Sequence, residues 1–153
     1  MCTQTTQLES FIVSGLLTRT TNQAELLPES AKIGALWSDF FAQNLMQMMP
    51  HQSATPKMLG VYANYESDLT GAFDVIAGMA VTQAVEGYAS VQIQAGTYQV
   101  FEFEGDMPGA VVAAWTDVWA YFASNPQITR RYGSDFEEYR DARSGAIYIG
   151  ILA

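Results

Sequence analysis

Cysteine, histidine and basic side chains are scarce in this chain, and each shortage excludes a class of function. A single cysteine, Cys2, allows neither an internal disulfide framework nor a cysteine-rich zinc site. The lone histidine, His51, follows a proline in a polar stretch with no second histidine or cysteine cluster nearby, so no metal is expected. Seven Lys and Arg stand against 16 Asp and Glu, a net charge of −9, which argues against direct nucleic-acid binding because neutralising phosphates requires basic residues. Long apolar runs are missing too. Nothing approaches the roughly 18 residues of a membrane span. The first residues have neither a basic start nor an apolar stretch, so no signal peptide is expected and a cytoplasmic location is the default. No Ser-His-Asp arrangement, phosphate-cradling glycine motif or CxxC occurs, and no cofactor is expected.

What the chain does have is apolar bulk, 49% of its 153 residues, which is enough for one globular domain over residues 1–153. Residues 1–7 are polar and read as frayed. Residues 8–19 read as a long strand interrupted by Gly15, and residues 20–27 as a connection. Pro28-Glu29-Ser30 reads as a helix start, because proline suits a first turn. Ile33, Trp37, Phe40, Phe41 and Leu45 then recur at helical spacing as far as Pro50. Residues 58–65 and 72–81 read as a strand pair joined at 66–71. Residues 90–104 read as a second long strand, again with an inner glycine, Gly96. After the turn at Gly105–Pro108 a second helix shows Val111, Val112, Trp115, Val118, Trp119 and Phe122, and Asn125-Pro126 closes it. Two last strands run through Gly133–Tyr139 and Ala146–Ile151.

This order is written twice. Ala35–Phe41 aligns with Ala113–Trp119, Tyr62–Tyr65 with Phe136–Tyr139, and Ala72–Val75 with Ala146–Ile149. The pattern predicts an α+β fold of two βαββ units, about residues 8–81 and 88–153. Neither unit can bury its own sheet face, so the two are expected to share one antiparallel sheet with both helices on it, under pseudo-two-fold symmetry with a central cleft.

The chemistry concentrates in Asp135-Phe136-Glu137-Glu138-Tyr139. On a strand Glu137 and Tyr139 share one face while Phe136 and Glu138 share the other, so the two glutamates are not a shared-proton pair. The alignment sets Glu137 against Ala63 and Glu138 against Asn64, which makes Glu137 the candidate buried acid and Glu138 a surface one. A carboxylate among apolar groups must be neutralised by a proton, a protein partner or a cationic ligand. Single aromatics at helical spacing are core residues first, but their excess at matching places suggests that some line the seam, where ring faces attract cations. Asp39 and Asp117 read as helix-surface acids. Arg130, Arg131, Arg140 and Arg143 read as a solvated ion-pair network rather than a phosphate site.

Several pieces carry a family resemblance: Val61–Asp68, Gly71-Ala72-Phe73 with Gly78, Ile93–Phe101, Trp115 with Trp119, and Asp135–Tyr139. In these the chain resembles the effector-binding domains of GyrI-like and AraC-type regulators, and among them the stand-alone integron-cassette proteins. The resemblance implies a cleft for lipophilic, cationic aromatic compounds, with Glu137 as counter-charge and Trp37, Tyr65, Trp115, Tyr139 and Tyr148 stacking on the ligand. It implies a non-catalytic binder serving transcriptional regulation or drug resistance. Where some relatives carry a second acid on the last strand, this chain has Ala146, which points away from dications. At 153 residues no helix-turn-helix domain is expected beside this one, so any regulation would run through a separate transcription regulator. Two alternatives go with it: a small hydrolase using Glu137 as general base, and a protein-interaction module like the gyrase-inhibiting relatives.

Overall fold

A computed structural model describes residues 3–68 and 70–152. The chain forms β1 (Thr3–Leu8), β2 (Phe11–Thr20), α1 (Asn22–Glu25), α2 (Ile33–Ala42), α3 (Leu45–Met48), β3 (Met58–Ala63) and β4 (Phe73–Val81). It continues through β5 (Ala89–Ile93), β6 (Gly96–Glu104), α4 (Gly109–Ser124), β7 (Ser134–Tyr139) and β8 (Ser144–Gly150). All eight strands join one antiparallel sheet in the order β1-β6-β8-β7-β3-β4-β2-β5. The fold is α+β, as the repeat predicts. Read outward from the central β3–β7 pair, the order matches on both sides, so the two halves meet across a pseudo-two-fold axis. Among the described residues no helix is long and apolar enough to cross a membrane, and no cluster of His, Cys, Asp and Glu is placed to hold a metal.

The differences from the sequence reading lie at breaks and edges. Residues 3–8 are not frayed; they pair along β6 as an edge strand. Met1 and Cys2 lie outside the described residues. Each expected long strand is two strands, broken at Glu9-Ser10 and at Gln94-Ala95, and each outer piece crosses to the other half of the sheet. Gly15 is not the break but lies within β2, directly opposite Gly78. Gly96 opens β6 at a φ of +143°, which a side chain rarely adopts.

The helix expected to start at Pro28 begins later, at Ile33, and a short helix precedes it. Thr21 caps α1 by accepting the Ala24 N–H at 3.0 Å, inside the expected connection. The Glu25 carboxylate then accepts the N–H groups of Lys32 at 2.8 Å and Ile33 at 3.2 Å, supplying the start of α2 from outside. Asn44, in a left-handed conformation (φ 54°), ends α2 and sets off the short α3 before Pro50.

Helix α2 lies mainly over β2 and β4, and α4 mainly over β6. Leu36 and Phe40 of α2 join Val75, Ala77 and Met79 in one core; Val111, Ala114 and Val118 of α4 join Phe101, Ile147 and Ile149 in another. A third core, with Val13, Leu59, Val61, Tyr98 and Phe136, fills the other face. The helices are thus drawn apart toward the flanks of the sheet, and the central pair β3–β7 is left beneath the gap between them.

Candidate functional site

That gap is a cavity of about 920 Å³, within the range of drug-sized ligand sites. Its floor is the helix-facing side of β3 and β7, and its walls are the flanks of α2 and α4. The apolar stripe of each helix is wider than the core needs. Leu36 and Phe40 are buried beneath α2, whereas Ile33, Trp37 and Phe41 turn to the cavity; Val112, Trp115 and Trp119 do the same from α4. Phe41 and Trp119 remain about half exposed, at 52% and 43%, and form an apolar rim.

Glu137 sits on the floor and is 3% exposed. Its Oε2 accepts the Tyr62 hydroxyl at 2.8 Å and the Trp115 indole N–H at 2.6 Å; its Oε1 accepts the Tyr139 hydroxyl at 2.7 Å. Among the described residues no Lys, Arg or His forms an ion pair with it. Burial raises its pKa, and the bonds from Tyr139, Trp115 and Tyr62 act in the opposite direction; the shift remains upward. Burial and the adjacent carboxylate in turn push the Tyr62 and Tyr139 hydroxyls well above the usual tyrosine range, so both remain donors. Gly60, directly across from Glu137, makes the room. A Cβ there would lie 2.7 Å from Glu137 Oε1 and 3.1 Å from the Trp37 ring. Around the carboxylate, Trp37 meets Tyr139 edge-on at 5.5 Å and Tyr62 meets Trp115 at 5.0 Å.

A second polar cluster lies two residues back on the same face of β7. Asp135 is fully buried; its Oδ2 accepts the Tyr65 hydroxyl at 2.6 Å and pairs with the Arg130 guanidinium at 2.9 Å, and its Oδ1 accepts the Gly150 N–H at 2.8 Å. Arg130 and Tyr65 both line the cavity, and Asp135 lies behind them.

Of the six residues read from the sequence as ligand-binding, the structure brings Glu137, Trp37, Tyr65, Trp115 and Tyr139 to the cavity. Tyr148 is elsewhere. Ile147 and Ile149 take the helix-facing positions of β8, so Tyr148 points the other way and stacks on Phe136 at 4.6 Å with the rings 9° apart. Ala146 shares that far face, opposite Glu138, so an acid at this place would not have met the cavity. Glu138 is ion-paired with Lys57 and Arg140, each at 3.7 Å.

The alignment of Glu137 with Ala63 is also corrected. Ala63 belongs to the far-side core, while Tyr62 shares the cavity face with Glu137. Matching the faces requires shifting this strand by one residue, so that Tyr62 falls on Glu137. Sequence reasoning therefore missed Tyr62 as a carboxylate partner, although strand parity held the signal. It also missed Arg130, whose side chain is 8% exposed and paired with Asp135, not part of a solvated network. Arg140 and Arg143 are exposed and paired with Glu102 and Asp106, as expected. Asp39 and Asp117 lie on the helix surfaces.

The family model described as integron-associated effector binding protein (Cass2) matches residues 4–151. The chain is similar to integron cassette protein VCH_CASS2 from the mobile metagenome of Vibrio cholerae, at 37% identity and a TM-score of 0.85, covering 98% of this chain and 95% of that one. It is similar to YobU of Bacillus subtilis (strain 168), described as a transcriptional regulator, at 25% identity over 138 residues, 88% of this chain and 84% of YobU. It shares its fold with SAV2435, whose structure was solved bound to tetraphenylphosphonium, at 20% identity and a TM-score of 0.77, covering 100% of this chain and 95% of that one.

Proposed function

The chain belongs to the integron-associated effector-binding proteins, and we propose that it captures lipophilic monocations in its central cavity, with Glu137 as the counter-charge. The observation that carries this reading is a buried carboxylate, held by three neutral donors and no cation among the described residues, on the floor of a largely aromatic cavity. Each donor stabilises the charged form but cancels none of the charge. A cation over the carboxylate supplies the missing partner, and the Trp37, Trp115 and Tyr139 rings add cation–π attraction of about 0.5–2 kcal/mol each. Both carboxylate oxygens are already engaged, so the site favours delocalised or quaternary cations, which ask for no hydrogen bond.

Tetraphenylphosphonium bound to another protein of this fold supports the same ligand class here. The reading is of a binder rather than an enzyme: three neutral donors already hold both oxygens of Glu137, and a water offered to a general base would have to compete with them. Occupancy would be sensed by a separate transcription regulator, in keeping with the likeness to YobU.

Calorimetric titration tests it. Tetraphenylphosphonium is expected to bind at least about tenfold more tightly than neutral triphenylphosphine oxide, a difference of about 1.4 kcal/mol or more. Equal affinities, or no binding of the phosphonium, would defeat the reading. Compounds should be recovered chemically unchanged after long incubation; turnover would favour the hydrolase instead. A pH series adds a sign. Because the Glu137 pKa is raised, part of the apo population is protonated just above the ordinary value of 4.5. Affinity for the permanent cation should therefore climb with pH through the folded-state pKa of Glu137 and then level off, with proton release on binding confined to the climbing range.

A further inference from the structure

Two carboxylates lie on the cavity side of β7, and only one lacks a cation. Asp135 and Glu137 are two residues apart on one strand, so their side chains leave the backbone roughly 7 Å apart on the same face. Asp135 already has what the proposed ligand would bring to Glu137. The Arg130 guanidinium pairs with it at 2.9 Å, lies 4.4 Å from the Tyr132 ring centre and 5.9 Å from that of Phe122, and the Tyr65 hydroxyl donates to the same oxygen. This is a second aromatic-and-carboxylate cage, and the protein's own side chain fills it.

We propose that Arg130 is the specificity-determining residue that limits the cavity to singly charged ligands, by occupying the Asp135 cage as a built-in cation. The inference rests on the cation-binding reading above and names the charge class that the site accepts. A dication would bring one charge to Glu137 and leave the other unpaired in a desolvated cavity beside a guanidinium, so its second charge is a cost rather than a gain. With Arg130 removed, Asp135 lies behind the vacated volume as a second uncompensated carboxylate, at a spacing suited to a short, rigid bis-cation. Arg130 does not touch the ligand's primary charge site. Its effect is therefore on the ratio of affinities for one and two charges.

Two probes of one shape test this: 1-methyl-4-phenylpyridinium, with one charge, and 1,1′-dimethyl-4,4′-bipyridinium, with two. The wild type is expected to favour the monocation. Arg130→Met is expected to shift the ratio toward the dication by about tenfold or more, and Arg130→Met with Asp135→Asn to return it to the wild-type value. A wild type that binds the dication as tightly as the monocation overturns the proposal, whatever the folding of the variants. An unchanged ratio in a folded Arg130→Met variant, or a shift that persists in the double variant, also overturns it while leaving the cation-binding reading intact. If the wild type binds neither probe nor tetraphenylphosphonium, both fail together.

Discussion

Glu137→Gln is expected to weaken binding of a lipophilic monocation by about 2–3 kcal/mol, on the order of 30- to 160-fold. The figure follows from a unit charge about 5 Å away at an effective dielectric near 20, less some desolvation already lost on entering the cavity. Shape is kept by this exchange, so aromatic contacts survive and neutral compounds should bind nearly as before. The same substitution should leave the apo protein no less stable near neutral pH. A carboxyl whose folded pKa is raised favours the folded state below its unfolded value and loses that contribution as pH rises through the folded one. Thermal unfolding of the apo proteins from about pH 4 to pH 7 should thus show the variant gaining on the wild type as pH rises. Saturating cation should reverse the order, since it stabilises the wild type more. Equal cation affinities for wild type and variant would remove Glu137 from the site.

Gly15→Ala is expected to be the most damaging small substitution in the sheet, costing about 3–5 kcal/mol and lowering Tm by roughly 6–20 °C. An added Cβ would lie 2.0 Å from the Ala77 carbonyl oxygen and 2.5 Å from the Gly78 Cα. Those atoms are backbone held in the β2–β4 ladder and cannot turn aside as a side chain would. The contact is reciprocal, because a Cβ on Gly78 would lie 2.3 Å from the Ser14 carbonyl oxygen. Two facing glycines therefore let the β2 and β4 backbones approach closely at this register. Since β4 borders β3, which carries Tyr62 and Gly60 on the cavity floor, a folded Gly15→Ala protein should also lose cation affinity. Thermal unfolding with and without tetraphenylphosphonium measures both effects; a Tm within about 2 °C of wild type would contradict the account.

The doubled strand–helix–strand order and the two main helices were legible because each rests on local periodicity, whereas the choice of Glu137 over Glu138 rested on the repeat and the family resemblance. Strand parity alone puts Glu137 beside Tyr139 and opposite Phe136, and helical spacing alone puts Trp37 and Trp115 on apolar faces. The errors came where the answer depends on another segment. The chain breaks at Glu9-Ser10 and Gln94-Ala95 because the next strand crosses to the other half of the sheet. Pro28 does not begin α2 because Glu25, farther up the chain, caps it from outside. Tyr148 was misplaced because Ile147 and Ile149, not it, are drawn under α4.

The sequence by itself determined which residues alternate and which recur at helical spacing, since these depend on backbone geometry within one element. Tertiary structure decided what each carboxylate meets. Asp135 and Glu137 read alike on β7, yet Arg130 reaches one while Tyr62 and Trp115 reach the other. Charge compensation is a contact between segments distant in the chain, and in a desolvated cavity it separates a structural ion pair from an open cation site.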